Sequence, residues 1–181
     1  FLLPFVVAAS FLGINQYQYG MWNQFISIPW LLDLLNPELY PNDLLVEQRA
    51  NSPTVFLLVL TKLLPLFGSI PLLFLSLYLV NHLFLFLGLY RLSLSVFKNK
   101  QAAILLVVAC AFAFPVLGDI HLWSSSLMER TLALPLLLFS IAAQFRKQFW
   151  WAVFLQSVAF NIHPLSSLFV VLASWPAVLY A

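Results

Sequence analysis

Long apolar runs separated by short polar turns make up most of this chain, and their lengths limit what it can be. Phe1–Ile14 reads as the end of a spanning helix. Asn15–Pro53 then mixes amide, aromatic and proline positions, and it predicts a first loop outside the membrane. Within that loop Ser27-Ile28-Pro29 predicts a helix start, Ser27 capping and Pro29 sitting in the first turn. Trp30–Leu35 continue as amphipathic turns until Asn36-Pro37 stop them. Trp22, Phe25, Ile28, Trp30 and Tyr40 suit a belt at headgroup level, which lays the loop on the membrane. Ser52-Pro53 reads as cap and first turn of Thr54–Phe67. At about 21 Å that helix is short of the roughly 30 Å hydrocarbon core, so it reads as half-buried or re-entrant.

Gly68-Ser69-Ile70-Pro71 breaks the pattern, and Pro71–Tyr90 is long enough to span. Gln101–Leu117 goes out, Gly118–Ser126 forms a short outer loop, and Leu127–Phe145 returns. Phe149–Ile162 goes out again, His163-Pro164 marks the turn, and Leu165–Ala181 starts back. A chain that begins at Phe1 and ends inside an apolar run reads as one transmembrane domain, 1–181, of a longer polytopic protein. Ile120-His121-Leu122 and Ile162-His163-Pro164, each followed by a Ser-Ser pair, hint at a duplicated hairpin with two equivalent histidines.

Charge gives these runs a direction. Arg91, Lys98, Lys100, Arg146 and Lys147 fall in or near one set of turns, which the positive-inside rule makes cytoplasmic. The six acids, Asp33, Glu38, Asp43, Glu47, Asp119 and Glu129, fall on the other side. Charged residues are only 8% of 181 and hydrophobic ones 63%, with a mean hydropathy of +0.98. A water-soluble domain carries about 25% charged residues. The small net charge of +2 therefore reflects anchors at the turns and gives no nucleic-acid patch. The single Cys110 allows no intrachain disulfide.

The chemistry-bearing residues cluster on the acidic side. Asp43, in Tyr40-Pro41-Asn42-Asp43, suits a general base or metal ligand at the bilayer surface, or a solvated aspartate capping the next turn. Asp33 and Glu47 read as solvent-side members of amphipathic turns, and Glu38 as a first-turn acid. Asp119 and His121, with Glu129 shortly after, can converge on a divalent cation such as magnesium or manganese. They can equally be exposed boundary residues. Arg130 can hold a phosphate bidentately, or pair with Glu129, or snorkel. Lys62 snorkels or meets a lipid phosphate. His163, at a helix end, is either a ligand-binding residue or a hydrogen-bonded interfacial one. The amides and phenols from Asn15 to Tyr19, with Asn23 and Gln24, suit a hydroxylated ligand or simply solvate the loop. No phosphate-binding glycine loop, dinucleotide fingerprint, His-Glu-x-x-His or paired-cysteine motif is present.

The layout of a first span, a long outer loop and paired short helices with an acid in the second outer loop resembles the GT-C class of integral membrane glycosyltransferases. Tyr19-Gly20-Met21-Trp22-Asn23-Gln24 through Ile28-Pro29 to Asn36-Pro37-Glu38-Leu39-Tyr40-Pro41-Asn42-Asp43 is similar to the first-loop region of bacterial multi-pass proteins of that kind. Glu129-Arg130 followed by Leu132-Ala133-Leu134-Pro135, and His163-Pro164, also look like theirs. The resemblance implies an all-α polytopic transmembrane bundle in a bacterial inner membrane, with amphipathic juxtamembrane helices in the first outer loop. It further implies sugar transfer from a polyprenyl-phosphate donor at the non-cytoplasmic face. Asp43 would deprotonate the acceptor; Glu129, and Asp119 with it, would hold a metal or the acceptor; Arg130 or Lys62 would meet the donor phosphate. One departure stands out. Such enzymes carry an acid soon after the first span, and here those positions are Asn15, Gln16 and Gln18. Either Asp43 takes the base role or the protein lacks the activity. The alternatives are a transporter or permease, or a catalytically idle membrane scaffold.

Overall fold

The computed structural model describes residues 17–21, 23–51, 55–111, 115–116, 120–121 and 125–179. The span expected over Phe1–Ile14, the Ser52-Pro53 cap, Trp22 and Asp119 lie outside them. The described chain is all-helical apart from one pair of two-residue strands. Its helices are α1 (Gln24–Leu35), α2 (Leu44–Glu47), α3 (Phe56–Phe67), α4 (Ile70–Phe97), α5 (Lys100–Ala111), α6 (Glu129–Phe145), α7 (Phe149–Ile162) and α8 (Pro164–Leu179). Pro115–Val116 (β1) and Ile120–His121 (β2) pair antiparallel between α5 and α6, Pro115 opposite His121.

α4 is the backbone of the fold. Ser69 caps it by accepting from the Leu72 N–H, with Pro71 in the first turn where its missing donor costs nothing. It does not stop at Tyr90 but runs 28 residues to Phe97. Arg91 is exposed, so its charge is no obstacle. Ser93 and Ser95 turn their hydroxyls back onto the Leu89 and Arg91 carbonyls, so neither breaks the helix. At about 42 Å, α4 is the one described helix long and apolar enough to cross a membrane. α5 ends at Ala111, well before the expected Leu117, and Pro115 lies in β1. α7 keeps the expected bounds, and α6 starts at Glu129, two residues later than expected.

The connections determine the directions. Lys98-Asn99 joins α4 to α5, and residues 146–148 join α6 to α7, so each pair is an antiparallel hairpin. α4 and α6 instead run parallel. The cluster that holds Phe74 and Tyr78 also takes in Leu127 and Leu132, while Gly88 lies against Pro135 and Leu138. The α4–α5 and α6–α7 turns therefore fall at one end of the bundle, and the start of α6 at the other. The acidic first loop packs at that second end, since Trp30 and Val46 join the cluster of Leu73, Phe74 and Tyr78.

Small residues and buried polar bonds hold the helices together. A Cβ added at Gly88 would meet Leu138 Cβ at 3.1 Å and the Pro135 carbonyl at 3.4 Å. Ser140, fully buried, donates to the Ala152 carbonyl across α6 and α7 at 2.9 Å. Gly88→Val is expected to push α4 from α6 and cost about 1–3 kcal/mol, read as a lower thermal unfolding midpoint.

Three loop expectations change. Glu38 lies in the turn between α1 and α2 and not in the first turn of a helix. α1 begins at Gln24, one turn before Ser27, and carries Pro29 inside. Asp33 is not on the solvent side: it is 8% exposed and bonds Arg49 at 2.9 Å. The Trp30 indole N–H donates to the Leu45 carbonyl at 2.7 Å, so α1 and α2 form one unit. Asn36 closes α1 in extended backbone ahead of Pro37, as the Asn-Pro pair predicts.

Candidate functional site

Three of the candidate residues stand at one level where α6, α7 and α8 come together at the end opposite the lysine turns. From Phe145 back to Arg130 is about 22 Å of helix, and α7 climbs about 20 Å from Phe149 to Ile162. His163, the one residue between α7 and α8, thus stands at the level of Glu129 and Arg130.

Glu129 is the first residue of α6, ahead of the apolar stretch that starts at Leu132. Burial pushes its carboxyl above the usual carboxylate range. Adjacent positions on a helix point about 100° apart, so Glu129 and Arg130 do not face each other, and no ion pair forms between them. Arg130 is exposed, and its guanidinium makes no salt bridge among the described residues.

His163 is held by the helix it starts. Its Nδ1 accepts from the Ser166 backbone N–H at 3.2 Å, an N-cap made by an imidazole. That bond places the proton of the neutral ring on Nε2, leaving an N–H donor for another partner. Burial, and after it the charge of Arg130, pull the His163 pKa below the ordinary histidine value. Removing that charge must raise it. Arg130→Gln is therefore expected to move the His163 midpoint upward in an NMR titration, and a midpoint unmoved would separate the two side chains. The sign for stability follows. The folded ring resists a proton that the unfolded chain accepts, so stability falls as pH drops below the ordinary histidine pKa of about 6.5.

The other candidates lie elsewhere. Asp43 is exposed and caps α2, its Oδ1 accepting from the Leu45 and Val46 N–H groups at 2.8 and 3.3 Å. Lys62 is exposed on α3. Asn23 is exposed at the start of α1, where its carbonyl accepts from Ile26 and Ser27. Gln24 is fully buried: its amide donates to the Leu127 carbonyl at 3.1 Å and accepts from the Gly20 N–H at 2.7 Å. Tyr17 faces it, and burial raises that phenol to about 12, so it stays protonated. Gln18, at an early-acid position of the resemblance, bonds Ser125 through backbone and side chain.

Asp119 lies outside the described residues, and of His121 only the backbone in β2 is described. Among the described residues no three His, Cys, Asp or Glu side chains gather to hold a metal. The two histidines of the suggested duplication differ in backbone, His121 in a strand and His163 between helices.

One feature escaped the sequence reading. A cleft of about 460 Å³ opens between α7 and α8, lined by Gln156, Ser157, Asn161, Ser167 and Trp175 among apolar neighbours. The Trp175 indole N–H donates to Gln156 Oε1 at 2.7 Å across it. Its upper end, at Asn161 and Ser167, adjoins His163. Gln156, Ser157 and Asn161 interrupt an otherwise apolar helix, and that was the available signal. Searches of protein-family models, of curated proteins and of solved structures give no match to this chain.

Proposed function

We propose that this chain belongs to a multi-pass protein of a bacterial inner membrane that transfers a sugar from a lipid-phosphate donor at the face opposite the lysine turns. The observation that carries this reading is that Arg130 acts on His163 at one end of three packed helices, with Glu129 at the same level. A membrane setting is supported by what the short helices display outward. Leu105 is 69% exposed, Phe154 56%, and Phe169 and Leu172 63% each. Surface of that kind on successive helices suits lipid better than water.

In this reading Glu129 is the base. A carboxyl raised by burial holds a proton more firmly than a solvated one, which suits it to take the proton of an acceptor hydroxyl. The hydroxyl oxygen bonds to the anomeric carbon as the carbon–oxygen bond to phosphate breaks, and the lipid phosphate leaves with that electron pair. Arg130 and the Nε2–H of His163 both donate to the phosphate oxygens. The lipid tail would follow the cleft down from His163. Asp43, engaged in capping α2, has no part in the chemistry. The transporter alternative leans on Asn81, buried within α4 with its amide nitrogen lacking a partner among the described residues. One amide is a thinner basis than three ionisable groups at one level.

The test is transfer of labelled sugar from a polyprenyl-phosphate donor in membranes containing the chain. Transfer lost in Glu129→Gln at equal expression supports the reading. Equal transfer by both proteins, or none by the native chain with any such donor, overturns it.

A further inference from the structure

The two lysine turns are built in an unusual way. α6 ends in a Schellman motif: Gln148 donates its N–H to the Ala143 carbonyl and Lys147 to that of Gln144, with Lys147 left-handed at φ 59°. α4 ends in the simpler left-handed cap, Lys98 at φ 53° donating to the Leu94 carbonyl. That position normally belongs to glycine, because a Cβ is strained there. Both turns carry lysine instead, and the chain does use glycine for the same task at Gly68, φ 70°, which ends α3.

Lys98 and Lys147 also share one end of the bundle. Gly88 touches Leu138 where α4 crosses α6. Each turn lies about 14–15 Å beyond that crossing. Lys100 and Arg146 stand beside them, all four exposed. No acid offsets them, since the chain has no Asp or Glu between Glu47 and Asp119 and none after Glu129. Large apolar groups surround the cations: Trp150 is 89% exposed and Phe97 54%. Backbone strain at two turns that each present a cation, beside an exposed indole, points to a partner that is anionic on its surface and apolar just beneath.

We propose that this end of the bundle binds anionic phospholipid, with Lys98, Lys100, Arg146 and Lys147 on the headgroup phosphates and Trp150 seated among them. The site is separate from the Glu129 end and holds whatever that end does. Each lysine near an anionic surface contributes about a fivefold change in affinity.

Purified chain in detergent, challenged with phosphatidylglycerol or phosphatidylcholine and read by native mass spectrometry, tests it. The native chain is expected to retain phosphatidylglycerol in preference. Lys98→Gly with Lys147→Gly is expected to lose that preference by about fivefold per site while its thermal midpoint rises, since glycine relieves both turns. Lys100→Gln with Arg146→Gln is expected to weaken the preference without touching the strained positions. Equal retention of the two lipids by the native chain overturns the proposal, as does unchanged preference in both double variants. A lower midpoint in the glycine variant overturns the argument from strain on which it rests.

Discussion

Replacing Glu129 with glutamine is expected to lower sugar transfer by about 100-fold or more, the ordinary loss when a general base is removed. Glutamine keeps the shape and the helix start but cannot accept a proton. In the proposed mechanism Arg130 and His163 hold the phosphate, so binding of the lipid donor should change little. The loss should thus fall on kcat with KM nearly unchanged. Asp43→Asn, in contrast, should keep most activity, since asparagine caps helices about as well as aspartate. Parallel assays of the two variants separate the carboxylates, and a loss confined to Asp43→Asn would return the base role to the first loop.

The largest effect on stability is expected at Gln24. Its amide joins the loop before α1 to the segment before α6, bonding Gly20 on one side and Leu127 on the other. Gln24→Leu fills a similar volume and leaves the buried Leu127 carbonyl and the half-buried Gly20 N–H without this partner. The cost is about 2–4 kcal/mol, from two lost hydrogen bonds and the burial of what they satisfied. Denaturant or thermal unfolding would measure it. A neutral result would mean that the first loop is not anchored to the helices through this residue.

Gln24 also shows where sequence reading stops. An amide in a loop rich in amides and phenols looks like a ligand-binding group, and nothing local reveals a carbonyl 103 positions away. Asp33 and Arg49, 16 residues apart across two turns, carry no spacing signal either, and their ion pair appears only once α1 and α2 are folded. Helices bounded by sharp punctuation were legible: the Arg-Lys turn and His163-Pro164 bracket α7, and Gly68-Ser69 opens α4. α4 overran its expected end because an exposed arginine looks like a boundary in the sequence, yet costs a solvated helix end nothing. Sidedness of charge put Glu129, Arg130 and His163 at one level, but not in contact. The influence of Arg130 on His163 depends on how α6 packs against α7 and α8, which small residues such as Ala133 and Ala159 decide.

The length of α4 has a consequence for the bilayer itself. A helix of about 42 Å stands beside α5 and α7 of about 18–21 Å, against a hydrocarbon thickness of about 30 Å. In the membrane setting proposed above, α4 would cross with its end beyond Arg91 in water, while lipids next to the shorter helices would have to compress. In that setting the protein would carry its own thickness gradient around its rim and would favour a thinner bilayer on the α5 and α7 sides.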